Sequence, residues 1–273
     1  MKKRPPIKGF LKFKEIIEGE DVGIEVKIFP NAQVVGSDRD SIEAVTLGEI
    51  DMTSVAELQF APNIKEFYVF NADYLFDDLK DAKAKLDGEQ GDLLKKAADD
   101  KNMGAKVAAF FGSSGRIFWN NVREVNTLAD FQGIKSRAPE NPINIAELEA
   151  LGCIPTPMAW NELYTGLQQG TVDGLVSSKM PIIQQGLIDV LKYATDTNHS
   201  YSINVILISS AKYNSFSEEQ RAAYDKAIAG AAEEEWRIAM KEEEDSVQKI
   251  KELQEQGKIL YTELTDEARA EIK

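Results

Sequence analysis

Leu47-Gly48-Glu49-Ile50-Asp51-Met52-Thr53 is the stretch on which the fold turns. The apolar positions Ile42, Val45 and Leu47 before it share a helical face, and Ser37 or Asp38 can cap that helix at its start. Gly48 is placed for a left-handed cap, which lets the chain turn into the strand Ile50-Asp51-Met52-Thr53. Upstream, Ile24-Glu25-Val26-Lys27-Ile28-Phe29 alternates apolar and charged residues with period two, and Pro30-Asn31 ends it. The pattern predicts one strand-helix-strand unit. A second follows, in which Trp160 to Leu167 reads as a helix ending at Gly170, with Val172-Asp173-Gly174-Leu175-Val176 after it. Gly48 and Asp51 precede Gly170 and Asp173 by the same 122 positions. This predicts two similarly built α/β lobes, each turning the carboxyl end of a strand toward a shared crevice, where open sheets bind ligands.

Outward from these units, Ile7 to Ile17 has helical spacing with Gly19 as a stop, and Val107 to Phe111 and Ile203 to Ile208 are apolar runs suited to buried strands that could carry the chain between lobes. Ser217, with Glu218 and Glu219 in the first turn, opens a helical pattern that runs to about Gln256 and is long enough to span both lobes. The acidic runs Glu233-Glu234-Glu235 and Glu242 to Asp245 read as solvated helix face, because consecutive helical residues point in different directions and cannot converge on one ion.

Composition removes several classes of function. A length of 273 residues with 43% hydrophobic positions can bury a substantial core. A net charge of −14, with no clustered Lys/Arg face, argues against a nucleic-acid partner. Cys153 is the sole cysteine, so no intramolecular disulfide or thiolate cluster can form, and its apolar surroundings read as core. His199 is the sole histidine, which weighs against Ser-His-Asp, Cys-His and multi-histidine metal chemistry; no metal site and no cofactor are expected. No segment approaches the roughly 18 uncharged apolar residues of a membrane span.

Two stretches carry residues suited to binding. Gly112-Ser113-Ser114-Gly115-Arg116 is glycine-rich but lacks the spacing of a phosphate loop, so nucleotide binding is set aside. Arg137 closes the strand-like Ile134 to Ala138, and Pro139 follows, which keeps the chain out of helix. An arginine at a strand end can hold a planar, permanently charged fork in a crevice and grip a carboxylate through two parallel hydrogen bonds. Read alone, an arginine here is more often a surface ion-pair residue.

The stretches Phe29 to Asp38, Leu47 to Met52, Leu128 to Arg137, Ala150 to Met158 and Glu162 to Gly174, in this order and spacing, resemble the DctP-like substrate-binding proteins of tripartite ATP-independent periplasmic (TRAP) transporters. The resemblance covers nearly the whole chain. It implies a two-lobed, periplasmic-binding-protein-like α/β fold with a long lobe-spanning helix, and a carboxylate gripped in the cleft by the arginine matching Arg137. It also implies a second arginine at Arg116 and an aromatic wall at Trp160. Lobe I is expected at 1–112 plus about 205–240, and lobe II at 113–204 plus about 241–273. Many relatives read Asp-Gly-Gln-Glu-Asn-Pro where this chain reads Asp173-Gly174-Leu175-Val176-Ser177-Ser178, so Ser177 stands in place of a ligand-binding amide. Glu57 could bind a ligand hydroxyl or amine, or be an ordinary exposed loop carboxylate.

The function so implied is capture of a small organic acid and its delivery to TRAP membrane subunits by a monomeric, extracytoplasmic, non-enzymatic protein. C4-dicarboxylates, 2-oxoacids, aromatic acids and sugar acids all stay open as ligands. Two other readings are an enzyme using Glu57, Asp73 or Asp173 as acid or base, and an interaction protein that docks its acidic helix. In the resembled family a first strand, interior to the sheet, precedes the segment matching Lys3 to Gly9, whereas only Met1 and Lys2 stand before it here. Three outcomes follow: a piece of a longer protein that lacks that strand and an export signal, which is the favoured expectation, another segment filling the gap, or a rearranged sheet in the first lobe.

Overall fold

The computed structural model describes residues 8–30 and 33–273; the expected basic start of the chain and the Asn31 stop lie outside them. The first helix, α1 (Lys8–Gly19), buries Phe13 and Ile17, as its spacing predicts. In α2 (Asp38–Leu47), the Ser37 side chain accepts a hydrogen bond from the Asp40 N–H, and Gly48 ends the helix at φ 78°. Gly170 ends the helix Leu163–Gln169 at φ 72°. Both positions lie in the left-handed region that a side chain enters only at a cost. The 122-residue offset extends well beyond the two glycines. It relates β1 (Met52–Ala56) to the later strand Gly174–Ser178, and the short helix α3 (Glu57–Phe60) to the helix starting at Lys179. In each copy the strand therefore runs directly into a helix whose first residue is buried and charged, Glu57 in one and Lys179 in the other.

Seven strands form one sheet. The remaining six are β2 (Ala105–Asn120), β3 (Lys135–Ala138), β4 (Ile154–Pro157), β5 (Gly174–Ser178), β6 (Tyr193–Ser209) and β7 (Leu260–Glu263). The order is β1-β6-β2-β5-β3-β4, with β7 also on β6. The apolar runs read as short strands are the ends of two much longer ones, of 16 and 17 residues. These pair antiparallel from Ala105↔Ser209 to Asn120↔Tyr193. The glycine-rich stretch Gly112 to Arg116 thus lies within a strand.

Because side chains alternate across a strand, β2 feeds a core on each face of the sheet at each of its ends. Near its start, Phe110 packs with Phe67, Phe70 and Trp236, while Phe111 packs on the other face with Phe13 and Tyr224. Near its end, Trp119 packs with Leu163 and Leu175, and Phe118 with Phe131 and Leu148. The molecule therefore has two halves, each with its own pair of cores. Between them the β2–β6 ladder shifts register at Gly112/Gly115 and again at Arg116/Phe118. Irregularities of this kind bend a strand and re-aim its side chains.

The helix Glu218–Glu255, capped by Ser217 in a reciprocal box with Gln220, runs across both halves: Ala227 and Trp236 enter the cores of the first, Ile250 and Leu253 a core of the second. Its acidic runs are not only solvated face. Glu243 accepts hydrogen bonds from Lys179 Nζ (2.7 Å) and the Gly115 N–H (2.8 Å), and Glu235 accepts from the Gly9 N–H.

One strand was misread. Ile24 to Phe29 is extended, with Ile24, Val26 and Ile28 half-buried, but among the described residues it joins no ladder. Its alternation reflects one apolar face turned toward α1, while Val26 is held through its backbone by Glu18 and Lys14. Among the described residues β1 pairs only with β6, so Ile24 to Phe29 and β1 are not paired directly. No described helix is long and apolar enough to cross a membrane.

Candidate functional site

Two cavities among the described residues bear on the site. The larger, about 1230 Å³, is a groove between the unpaired edge of β1, α1 and the Ile24 to Pro30 segment; Phe10, Phe13, Ile17, Ile24, Val26 and Ile28 give it largely apolar walls. The smaller, about 180 Å³, lies between the halves, and Arg116, Arg137, Trp160, Ser177 and Glu57 all line it. The structure thus brings all five residues expected to bind ligand to one cavity, together with Asp73, whereas Asp173 does not line it and instead pairs with Lys135.

Four elements converge on it. The middle of β2 supplies Arg116, which lies opposite Ser178 of β5 and opposite Ser200 of β6. The third residue of β3 is Arg137, opposite Leu175 of β5 and Thr156 of β4. Ser177 comes from β5 and Glu57 from the first turn of α3. Arg116 and Arg137 are each only 7% exposed, which makes their compensation decisive. Arg116 Nη2 donates to Glu57 Oε1 at 2.6 Å. Glu57 is no exposed loop residue: it is fully buried, and its Oε2 accepts no hydrogen bond among the described residues. Burial pushes its carboxyl up and Arg116 opposes that shift.

Arg137 differs. Its Nε donates to the Met158 carbonyl (2.9 Å), and its guanidinium lies 5.8 Å from the centre of the Trp160 ring, but it forms no ion pair among the described residues. The Trp160 indole is fixed in turn by its N–H donating to Gln185 Oε1 at 3.0 Å. Burial lowers the Arg137 pKa to about 10, with Asp38 opposing and Arg116 reinforcing the shift, so the group stays cationic at neutral pH. Asp38 and Glu140 act on Arg137 electrostatically without forming an ion pair with it among the described residues, and a buried cation so placed is costly until an anion enters the cavity.

A second group of cavity residues includes Asp73, named above only as a possible acid or base, with Glu147 and His199, whose convergence on it the sequence did not indicate. Asp73, Glu147 and His199 place one ligand-capable atom each within 4.8 Å of the others. His199 is buried, its Nδ1 2.8 Å from Thr197 Oγ1, and burial lowers its pKa to about 3, which keeps it neutral. Burial, then the charge of Asp73, raises Glu147 to about 7. A relay of amides orients Glu147: Asn141 donates to Asn71, Asn71 to Asn144, and Asn144 to Glu147 Oε2. Nothing in sequence spacing could assemble residues 71, 144 and 199. The only signals that touched this group were Asp73, named as an acid or base in the enzyme reading, and the singularity of His199.

A two-lobed α/β scaffold with a cavity between its halves lined by two buried arginines fits the class of solute-binding proteins. This chain belongs to the family described as "Bacterial extracellular solute-binding protein, family 7", which it matches over residues 2–273. Members of that family are periplasmic substrate-binding components of transporters, not enzymes. The chain is 30% identical to the C4-dicarboxylate-binding periplasmic protein DctP of Rhodobacter capsulatus, over 97% of this chain and 78% of that protein. Among solved structures it resembles a TRAP periplasmic solute-binding protein from Bordetella bronchispeptica with density assigned to pantoate (TM-score 0.88, 32% identity, 97% of this chain and 86% of that one). It also resembles the sugar acid-binding protein DctPAm from Advenella mimigardefordensis in complex with galactonate (TM-score 0.90, 28% identity, 97% and 84%).

Proposed function

We propose that this protein captures a small organic carboxylate between its halves, anchors it on Arg137, and delivers it to the membrane subunits of a TRAP transporter, without chemical turnover. The observation that carries the reading is Arg137, buried and cationic with no carboxylate partner among the described residues, on the wall of an interlobe cavity. Its planar fork is free to make two parallel hydrogen bonds to one carboxylate. Arg116, already committed to Glu57, contributes a second and weaker attraction. Trp160 walls the pocket, and Ser177 and Glu57 offer hydroxyl and carboxylate contacts. The relatives point the same way: each of the three named above binds, or is assigned, an organic acid.

The lobes in this reading are 1–112 with about 205–240, and 113–204 with about 241–273. They close on the ligand as a monomer in the periplasm. A thermal-shift screen of organic acids, followed by calorimetry, tests it: an acid at 100 times its Kd should add about 2.7 kcal/mol of stability. Absence of any stabilising acid, or turnover of the acid that binds, would refute the reading.

A further inference from the structure

Resting on the carboxylate reading above, the cavity also indicates what the rest of the ligand is made of. The charges that act on Arg137 are Asp38, Arg116 and Glu140. Arg116 in turn acts on Asp73, Glu147 and His199. The sheet order places them: His199 stands on β6, Arg116 on β2 and Arg137 on β3, and the strands run β6-β2-β5-β3, so Arg116 lies between Arg137 and the Asp73–Glu147–His199 group. Three atoms no more than 4.8 Å apart leave between them a point within about 2.8 Å of each, the length of a hydroxyl hydrogen bond. His199 Nε2 and Glu147 Oε1 are 3.9 Å apart, too far to bond directly and close enough for one oxygen to bridge. His199 is 8% exposed, and its Nε2 has no hydrogen-bond partner among the described residues. Glu57 Oε2, fully buried on the same cavity, also lacks one. These are unfilled hydrogen-bonding positions in the wall.

We propose that the Asp73–Glu147–His199 wall binds the distal hydroxyls of a polyhydroxy monocarboxylate and selects it against a dicarboxylate. A second carboxylate placed there would meet the carboxyls of Asp73 and Glu147, and like charges that close oppose each other strongly. A hydroxyl both donates and accepts, so it suits two carboxyl oxygens and an imidazole nitrogen of either tautomer. An unsubstituted alkyl chain would leave the same groups desolvated and unpaired.

The test is calorimetry in EDTA, with a panel of four- to six-carbon aldonates and uronates against succinate and butyrate, on wild type, Glu147→Gln, Asp73→Asn and Arg137→Met, each first shown to melt cooperatively. The expected result is at least one hydroxy acid bound tenfold or more tighter than succinate or butyrate. That preference should narrow at least fivefold in Glu147→Gln and Asp73→Asn, with succinate gaining in both. Succinate bound as tightly as the best hydroxy acid, or an unchanged preference in both variants, would overturn the proposal. So would hydroxy-acid binding that needs added Ca²⁺, which would assign the wall to a metal. If Arg137→Met binds every acid as wild type does, the carboxylate reading itself fails, and that outcome is separate from the behaviour of the wall variants.

Discussion

Arg116 and Glu57, 59 positions apart in sequence, meet through a 2.6 Å charge-assisted hydrogen bond inside the interlobe cavity, so that of its two buried arginines one is already neutralised. This division of labour separates the two arginines experimentally. Arg137→Met removes a charge that has no carboxylate partner among the described residues, so the ligand-free protein should be no less stable, while carboxylate binding weakens by about 2–5 kcal/mol. Arg116→Met leaves Glu57 buried without its cation and should cost about 3–5 kcal/mol of folding stability. Adding Glu57→Gln should recover much of that loss. Calorimetry with denaturant melts on the four proteins checks it; equal stability losses in the two single variants would contradict the assignment.

Trp160 supports Arg137 from the side, with the guanidinium 5.8 Å from the ring centre. Such a contact contributes about 0.5–2 kcal/mol. Trp160→Ala should therefore weaken acid binding roughly two- to thirtyfold, and Trp160→Phe, which keeps a weaker ring face, should fall between. Titration of both variants with the acid found by thermal shift measures this. Full affinity in Trp160→Ala would make the ring plain packing.

Much of this site was legible in the sequence, and the reason is local. Gly48 and Gly170 mark helix ends by a conformation that few other residues adopt, and the strands that follow them deliver Glu57 and Ser177 to the cavity without further information. Pro139 marked the strand end that carries Arg137, but the arginine's role as a carboxylate anchor came from the family resemblance and not from the local pattern. Illegible were pairings over long separations: Lys179 with Glu243 and the approach of Glu147 to His199 depend on how the lobes and the long helix pack. The Ile24 to Phe29 error has a related cause. Period-two alternation reports one apolar face, and only a neighbouring backbone makes that segment a strand.

The cavity is walled by Glu57 and Asp73 from the first half and by Arg137, Glu147 and Ser177 from the second. A small acid is buried only when both walls meet it, so binding should be coupled to approach of the halves. The register shifts on either side of Gly115 and Arg116 in β2 are the places for the bend. Small-angle scattering should show a smaller radius of gyration at saturating ligand. Superimposable profiles would mean a rigid pocket.

Glu147 and His199 give the protein an unusual dependence on pH. The Glu147 carboxyl titrates at about 7, against 4.5 ordinarily, chiefly through burial and then through Asp73, with Asn144 and Arg116 opposing. Between pH 4.5 and 7 the folded state holds a proton that the unfolded chain has released, so stability falls as pH rises across that window, and the loss is complete above about 7. Its full size is on the order of 3 kcal/mol at most. His199 acts with the opposite sign. Its pKa of about 3, set by burial and then by Arg116, keeps it neutral in the fold. The unfolded chain therefore takes up a proton below about 6.5, and stability falls as pH drops. From pH 4.5 to 6.5 the two slopes oppose each other. Glu147→Gln keeps an acceptor for the Asn144 amide and removes one slope. It should melt at higher temperature than wild type at pH 8, converge with it near pH 4.5, and lose stability more steeply than wild type below pH 6.5. Thermal melts of both proteins from pH 4.5 to 8 decide the matter, and a constant difference across the range would remove Glu147 as the titrating group.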